Sequence, residues 1–268
     1  MAIPARKEQV QQTEKHYGLI VELASTLQDV YESQKLRRLV FEEETGASFP
    51  ANQSVDRDHY DPHCLHLLVR EYYSGHIVGS TRILTDTRAK VAGGFYSQSE
   101  FNIESVLRLP GRIMEIGRTC IHPEFRSGSA IAILWAGLAR LIEAHEINYL
   151  MGCASISLHD GYHNAQAAIQ YLREKHPSPP AIEVSPIHPF HLDENVAADK
   201  SQLPPLLKAY LRLGAYVWGE PSLDEEFNTA DVFILLDTAN LNPRYHNHFI
   251  ARTANATIEV DHVGSLSA

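Results

Sequence analysis

The stretch that most constrains this chain runs from Ile113 to Ala130 and reads Ile-Met-Glu-Ile-Gly-Arg-Thr-Cys-Ile-His-Pro-Glu-Phe-Arg-Ser-Gly-Ser-Ala. β-Branched and apolar residues up to Ile121 read as a strand. His122-Pro123 ends it, because proline has no ladder donor and restricts the residue before it. A loop of small and polar residues follows. From Ala130 the chain reads as a helix, with Ile131, Leu134, Leu138 and Leu141 at helical spacing. Strand, small-residue loop, helix is a geometry that aims backbone N–H groups at a phosphate. Glu115 and Arg118 lie inside the strand. Regular alternation puts them on opposite faces unless a bulge re-aims one. Burying charge in an apolar strand is costly, so either the pair borders a cavity or it forms a structural ion pair in a solvated strand.

The rest of the chain narrows what such a cavity could serve. A length of 268 residues suffices for a sizeable core, as one domain or a domain with an appended subdomain. The net charge of −10, with no basic arm or stripe, excludes an ordinary nucleic-acid binder. Cys64, Cys120 and Cys153 are too few and too scattered for a disulfide framework, which points to a reducing compartment. No apolar run approaches the ~20 residues needed to span a bilayer. The polar start, with Lys7, Glu8, Glu14 and Lys15, does not read as a signal peptide. The expectation is a cytoplasmic protein, with peripheral contact at the inner face of the cytoplasmic membrane left open.

Taken in order, residues 1–16 read as a lead-in and 17–24 as a first strand. Residues 27–44 form a helix with an apolar stripe through Val30, Leu36, Leu39 and Val40, stopped at Gly46. Residues 47–62 are loop. A hairpin follows, 64–72 and 76–84, turning at Ser74-Gly75. A weak element at 101–107 precedes the central strand and its helix. Then come a strand at 148–154, a helix at 162–175, and an inserted loop at about 176–202. A short helix at 203–213 carries Pro204-Pro205 in its first turn and Gly214 as a cap. Strands at 216–220 and 231–236 follow, and 251–268 reads as a disordered tail. Strands not separated by helices predict a mixed α/β sheet and not a doubly wound one.

These residues resemble a known superfamily. The central strand–loop–helix is similar to the acyl-CoA-binding core of the GNAT N-acyltransferases, and two of their families resemble the chain more closely. The charged pattern of the acyl-homoserine-lactone synthases is matched by Arg37, Phe41, Asp58, Asp61, Arg82, Glu115 and Arg118. The ornithine N-alpha-acyltransferases of ornithine-lipid synthesis are matched further. That match includes Gly93-Gly94-Phe95-Tyr96-Ser97, Glu115 to Cys120, Gly152-Cys153, Leu203 to Leu206, Tyr210 to Ala215 and Phe227 to Asp231. The resemblance implies one GNAT-like acyltransferase domain over residues 17–250, an α/β fold with a central mixed, mostly antiparallel sheet flanked by helices.

The resemblance also implies the chemistry. A fatty acyl group, with or without a 3-hydroxyl, passes from acyl carrier protein to the α-amine of L-ornithine, giving a lyso-ornithine lipid. No cofactor is implied beyond the phosphopantetheine that carries the donor, and no metal. Glu115 is the expected general base, with Arg118 beside it as a partner or as a ligand of the acceptor carboxylate. Arg37, Phe41, Asp58, Asp61 and Arg82 are the expected substrate-binding residues, Asp58 and Asp61 toward the side-chain ammonium. Thr119, Cys120, Ile121, Arg126, Ser127, Gly128 and Ser129 are expected to hold the phosphopantetheine, with a backbone N–H near Cys120 or Ile121 stabilising the oxyanion. The usual pyrophosphate loop has small residues where this chain has Ser129 and Ile131, and a donor with a single phosphodiester demands less of it. Arg108, Arg112, Arg126 and Arg140 are candidates to receive an acidic carrier. Ile83, Phe95, Phe101 and Leu107 either line an acyl tunnel or are plain core. Three alternatives stay open: a homoserine-lactone-type or other N-acyl amino acid synthase, a cysteine nucleophile at Cys120 or Cys153, and a non-catalytic acyl-binding module.

Overall fold

The computed structural model describes residues 18–241 apart from Ser127, Asp160 and Glu194. The lead-in and tail expected at 1–16 and 251–268, and Ser127 of the loop, lie outside the described residues.

Seven strands form one sheet in the order β1-β2-β3-β5-β6-β9-β8. They are β1 (Leu19–Leu23), β2 (Leu65–Glu71), β3 (Ile77–Thr85), β5 (Ile113–Ile121), β6 (Tyr149–Ser157), β8 (Tyr216–Asp224) and β9 (Thr229–Asp237). Every pairing in it is antiparallel except β5 with β6. The mixed sheet expected from the element order, mostly antiparallel as the resemblance implies, is therefore present. A two-stranded patch, β4 (Phe101–Asn102) with β7 (Ser185–Pro186), lies apart from it. β7 belongs to the segment read as inserted loop.

The helices are α1 (Leu27–Thr45), α2 (Asp86–Ala92), α3 (Ser97–Glu100), α4 (Glu104–Leu107), α5 (Ser129–Ala144), α6 (Tyr162–Lys175) and α7 (Pro205–Leu213). α1 begins at a capping box, Thr26 with Asp29, and stops at Gly46 in the left-handed conformation. Its Leu36 and Val40 pack on Leu68 and Cys120. Helices α5, α6 and α7 cover the other face through Leu134, Leu138, Ile169, Leu207 and Leu213.

Strand alternation then sorts the side chains. Met114 and Ile116 of β5 enter the core under α5, whereas Ile113 joins Met151, Phe233 and Leu84 on the opposite face. By the period of two, Glu115, Arg82, Cys153 and Asp231 fall on that second face.

β5 and β6 are paired only from Ile113–Tyr149 to Glu115–Met151. Beyond that β6 stays with β9 and β5 stays with β3, so the two parallel strands diverge. Gly152 sits at the fork, where a Cβ would lie 2.3 Å from the Ile116 carbonyl oxygen. Just past it, the β3–β5 register slips between Ser80 and Arg82, and Arg118 has φ +51°. This is a bulge, and it turns Arg118 onto the face that holds Glu115.

Candidate active site

A cavity of about 730 Å³ occupies the fork. Its walls come from both faces of the sheet. Arg82, Tyr96, Glu115, Arg118, Asp224 and Asp231 line one end, and Ile131, Leu206, Leu207 and Tyr210, from α5 and α7, line the other. The cavity therefore passes through the sheet where β5 and β6 part.

Glu115 is only 4% exposed yet borders this space. The turn Gly93-Gly94 has φ +92° and +138°, values that favour glycine, and it delivers the start of α3 to the carboxylate. Glu115 Oε2 accepts the Tyr96 N–H at 2.8 Å; Oε1 accepts the Ser97 N–H at 2.7 Å and the Ser97 hydroxyl at 2.6 Å. Burial raises its pKa, and the Ser97 and Tyr96 hydrogen bonds offset only part of that rise. A carboxylate of raised pKa at a cavity wall is suited to accept a proton.

Arg118 does not pair with Glu115. Its Nε lies 3.4 Å from Asp56 Oδ2 and its Nη2 3.6 Å from Asp58 Oδ2. The guanidinium lies over the Phe227 ring at 4.2 Å and the Tyr96 ring at 4.8 Å. Phe41 meets the Phe227 ring edge-on at 5.6 Å and lines the cavity.

The other expected acceptor residues occupy a different position. Arg37 is 0% exposed and donates through Nε to Asp56 (2.7 Å), through Nη1 to Asp61 (2.6 Å) and through Nη2 to the Asp56 carbonyl (2.9 Å). Arg82 Nη1 donates to Asp58 Oδ1 at 2.6 Å. Burial would raise the Asp61 pKa, but the Arg37 guanidinium overrides it and brings the carboxyl down to about 2. Arg37, Asp58 and Asp61 do not line the cavity, although Arg82 does. Asp58 and Asp61, expected at a substrate ammonium, turn their oxygens to the arginines of a network in the wall behind the cavity. Asp56, Tyr96 and Ser97 belong to this assembly and were not singled out by sequence. The Gly93–Ser97 match was the signal for the last two.

On the helix side, Thr119, Cys120, Ile121, Arg126 and Gly128 line the cavity. Ser129 opens α5 but is not part of the lining, and among the described residues no side chain caps the helix start. Arg126 pairs with Glu44, and its Nε donates to the Ile121 carbonyl at 3.1 Å. Arg112 is held by Asp86 and the His145 carbonyl, and neither it nor Arg108 reaches the cavity. Ile83, Phe95 and Phe101 are core and Leu107 is 38% exposed, so none of the four lines a tunnel. Burial pushes the Cys120 thiol up to about 12 and holds the Cys153 thiol well above its ordinary value. Neither is a thiolate at neutral pH.

Comparison with known proteins bears on the fold and the family. The sequence model of the Acetyltransferase (GNAT) domain matches residues 36–136. The chain is 32% identical over 248 residues to an L-ornithine N(alpha)-acyltransferase of Rhodobacter capsulatus, a match covering 87% of this chain and 95% of that one. It is 33% identical over 252 residues to the L-ornithine N(alpha)-acyltransferase of Brucella abortus, covering 87% and 89%. Among solved structures, the CoA-dependent acyl-homoserine lactone synthase BjaI, with SAM and isopentyl-CoA, superposes with a TM-score of 0.53 at 14% identity. That match covers 90% of this chain and 93% of that one, and it shows a common fold. The chain is an acyltransferase with the GNAT fold, and it belongs to the L-ornithine N(alpha)-acyltransferase family.

Proposed function

We propose that this enzyme moves a fatty acyl group, including a 3-hydroxy fatty acyl group, from the phosphopantetheine thioester of acyl carrier protein to the α-amine of L-ornithine. The product is a lyso-ornithine lipid. The observation that carries this reading is the cavity through the forked sheet, with a buried carboxylate at one end and the start of α5 at the other. The naming of the relatives supports the acceptor.

The donor arm enters on the α5 and α7 side and runs along Thr119, Cys120 and Ile121 toward Arg126 and Gly128. Beyond Gly117 this edge of β5 has no strand partner on the β6 side, so its backbone is free to bond the arm. The start of α5 suits a single phosphodiester. The acceptor enters on the Glu115 side. Its α-ammonium gives a proton to Glu115, directly or through a water, and the freed amine attacks the thioester carbonyl. A backbone N–H of the free β5 edge stabilises the oxyanion, and on collapse the C–S bond breaks, the departing phosphopantetheine sulfur taking the nitrogen's second proton to leave as the thiol. Base catalysis of this kind contributes ~10²–10⁴-fold. No cofactor takes part beyond the carrier's own arm. Arg37, Asp56, Asp58 and Asp61 act as positioning residues that fix Arg82 and Arg118. The protein works in the cytoplasm, at the membrane surface that receives the amphiphilic product. Among the described residues no helix is long and apolar enough to cross a membrane.

The test supplies L-ornithine with one long acyl group on either acyl carrier protein or coenzyme A, and reads products by fragmentation mass spectrometry. Acylation at the α-amine with a higher kcat/KM for the carrier-bound donor is expected. Equal kcat/KM removes the carrier claim. Acylation at the δ-amine, or a lactone from S-adenosylmethionine with no ornithine product, rejects the reading.

A further inference from the structure

Two carboxylates in the cavity wall have no part in the chemistry above. Asp231 of β9 is 3% exposed, and with Asp224 at the end of β8 it borders the same space as Glu115. Asp231 Oδ1 accepts the Thr229 hydroxyl at 2.8 Å, and Asp224 Oδ1 accepts the Phe227 N–H at 2.9 Å. Among the described residues neither forms an ion pair within 4.0 Å. Asp56, Asp58 and Asp61, by contrast, each lie against an arginine. Burial raises the Asp231 pKa to about 7, and the charges of Asp224 and Glu100 add to the rise. Leaving carboxylates unmatched at a buried wall is costly unless the cation comes with a ligand.

A second observation concerns Arg118, which lines the same cavity. Among the described residues the buried Nε of Arg118 has no hydrogen-bond partner; it stands 3.4 Å from Asp56 Oδ2, and Nη2 stands 3.6 Å from Asp58 Oδ2. Tyr96 connects the two poles to the base. Its ring lies against Arg118, its hydroxyl is 3.4 Å from Asp224 Oδ2, and its N–H donates to Glu115. A cationic pole, an anionic pole and the candidate base thus surround one tyrosine. A molecule that matches all three carries a carboxylate, a free amine and a second, cationic amine.

We infer that Asp224 and Asp231 form the specificity subsite for the acceptor's side-chain ammonium, while Arg118 takes the α-carboxylate and the α-amine is presented to Glu115. This rests on the ornithine reading and deepens it, since the arrangement dictates which of the two amines is acylated. With the distal ammonium held by carboxylates, the distal nitrogen stays protonated and away from the thioester.

The experiment measures kcat and KM for L-ornithine and for L-norvaline, which has the same carbon chain without the distal amine. The wild type, Asp231→Asn and Asp224→Asn are compared with one acyl donor, and folding is checked by circular dichroism. The wild type should prefer ornithine strongly. Each Asn variant should raise the KM for ornithine at least about tenfold, with a smaller change in donor KM, and lose most of the preference. Should Asp231→Asn fail to fold, Asp224→Asn decides alone, because an Asn oxygen can still accept the Phe227 N–H. A folded variant that keeps the wild-type preference overturns the subsite and leaves the ornithine reading intact, as does a wild type that acylates ornithine and norvaline equally well. A wild type that acylates no ornithine overturns both.

Discussion

Glu115 meets two requirements that pull against each other: burial favours its protonated form, and three hydrogen-bond donors favour its ionised form. A base must be ionised to act, so the rate should fall as pH drops through its raised pKa. Removing one donor should raise that pKa further. Ser97→Ala deletes the hydroxyl bond and keeps the N–H, so the acid limb of kcat/KM should move to higher pH while the plateau rate changes little. A pH–rate profile that does not move would take Glu115 out of the proton-transfer step. Glu115→Gln is less clean than its shape suggests. Both oxygens accept a backbone N–H, and an amide can satisfy only one of them. That variant should lose ~10²-fold in kcat and also melt earlier, since an unpaired buried donor costs ~1–3 kcal/mol. Melting temperature measured beside the rate separates the two losses.

The fork between β5 and β6 is what makes a cavity in an otherwise continuous sheet. Gly152 holds it, because the Ile116 carbonyl lies where a side chain would begin. Gly152→Ala should press the strands apart at the last paired position, Glu115–Met151. Overpacking of this kind costs ~1–3 kcal/mol, and here it should also misplace the base. Thermal melting and kcat should fall together, and a variant with normal stability and rate would remove Gly152 from that role. The strand itself was legible in sequence, because β-branched residues and a terminating proline mark it locally. Its bulge was not, since Arg118 gives no local signal of a positive φ. The full length of β8 was also hidden. The sequence reading ends this strand at Glu220, yet the strand continues to Asp224 through a register shift between Trp218 and Ser222. The site was half legible for a related reason. Sequence marks a charge but not its partner, and Arg37 meets Asp61 across 24 positions. The aspartates expected at the acceptor are therefore neutralised inside the wall, while Asp231 lay unweighed in a matched segment.

At the scale of the whole molecule, the cavity is lined from both faces of the sheet, which gives donor and acceptor separate ends to occupy. This favours a ternary complex and direct transfer over an acyl-enzyme. The available nucleophiles agree with it. Cys120 is packed under α1 against Leu36 and Val40, with its thiol raised to about 12. Cys153 lies 3.5 Å from the Ser97 hydroxyl near Glu115, and burial among carboxylates keeps it protonated. A double displacement would need one of these thiols to ionise beside negative charge, which costs more than deprotonating an amine next to a carboxylate of raised pKa. Initial rates measured over a grid of both substrates should therefore give intersecting lines in double-reciprocal form. Intact-mass spectra after incubation with donor alone should show unmodified protein, and Cys153→Ala should keep most of the activity. Parallel lines together with a protein mass increased by one acyl group would establish a covalent intermediate and end the direct-transfer account.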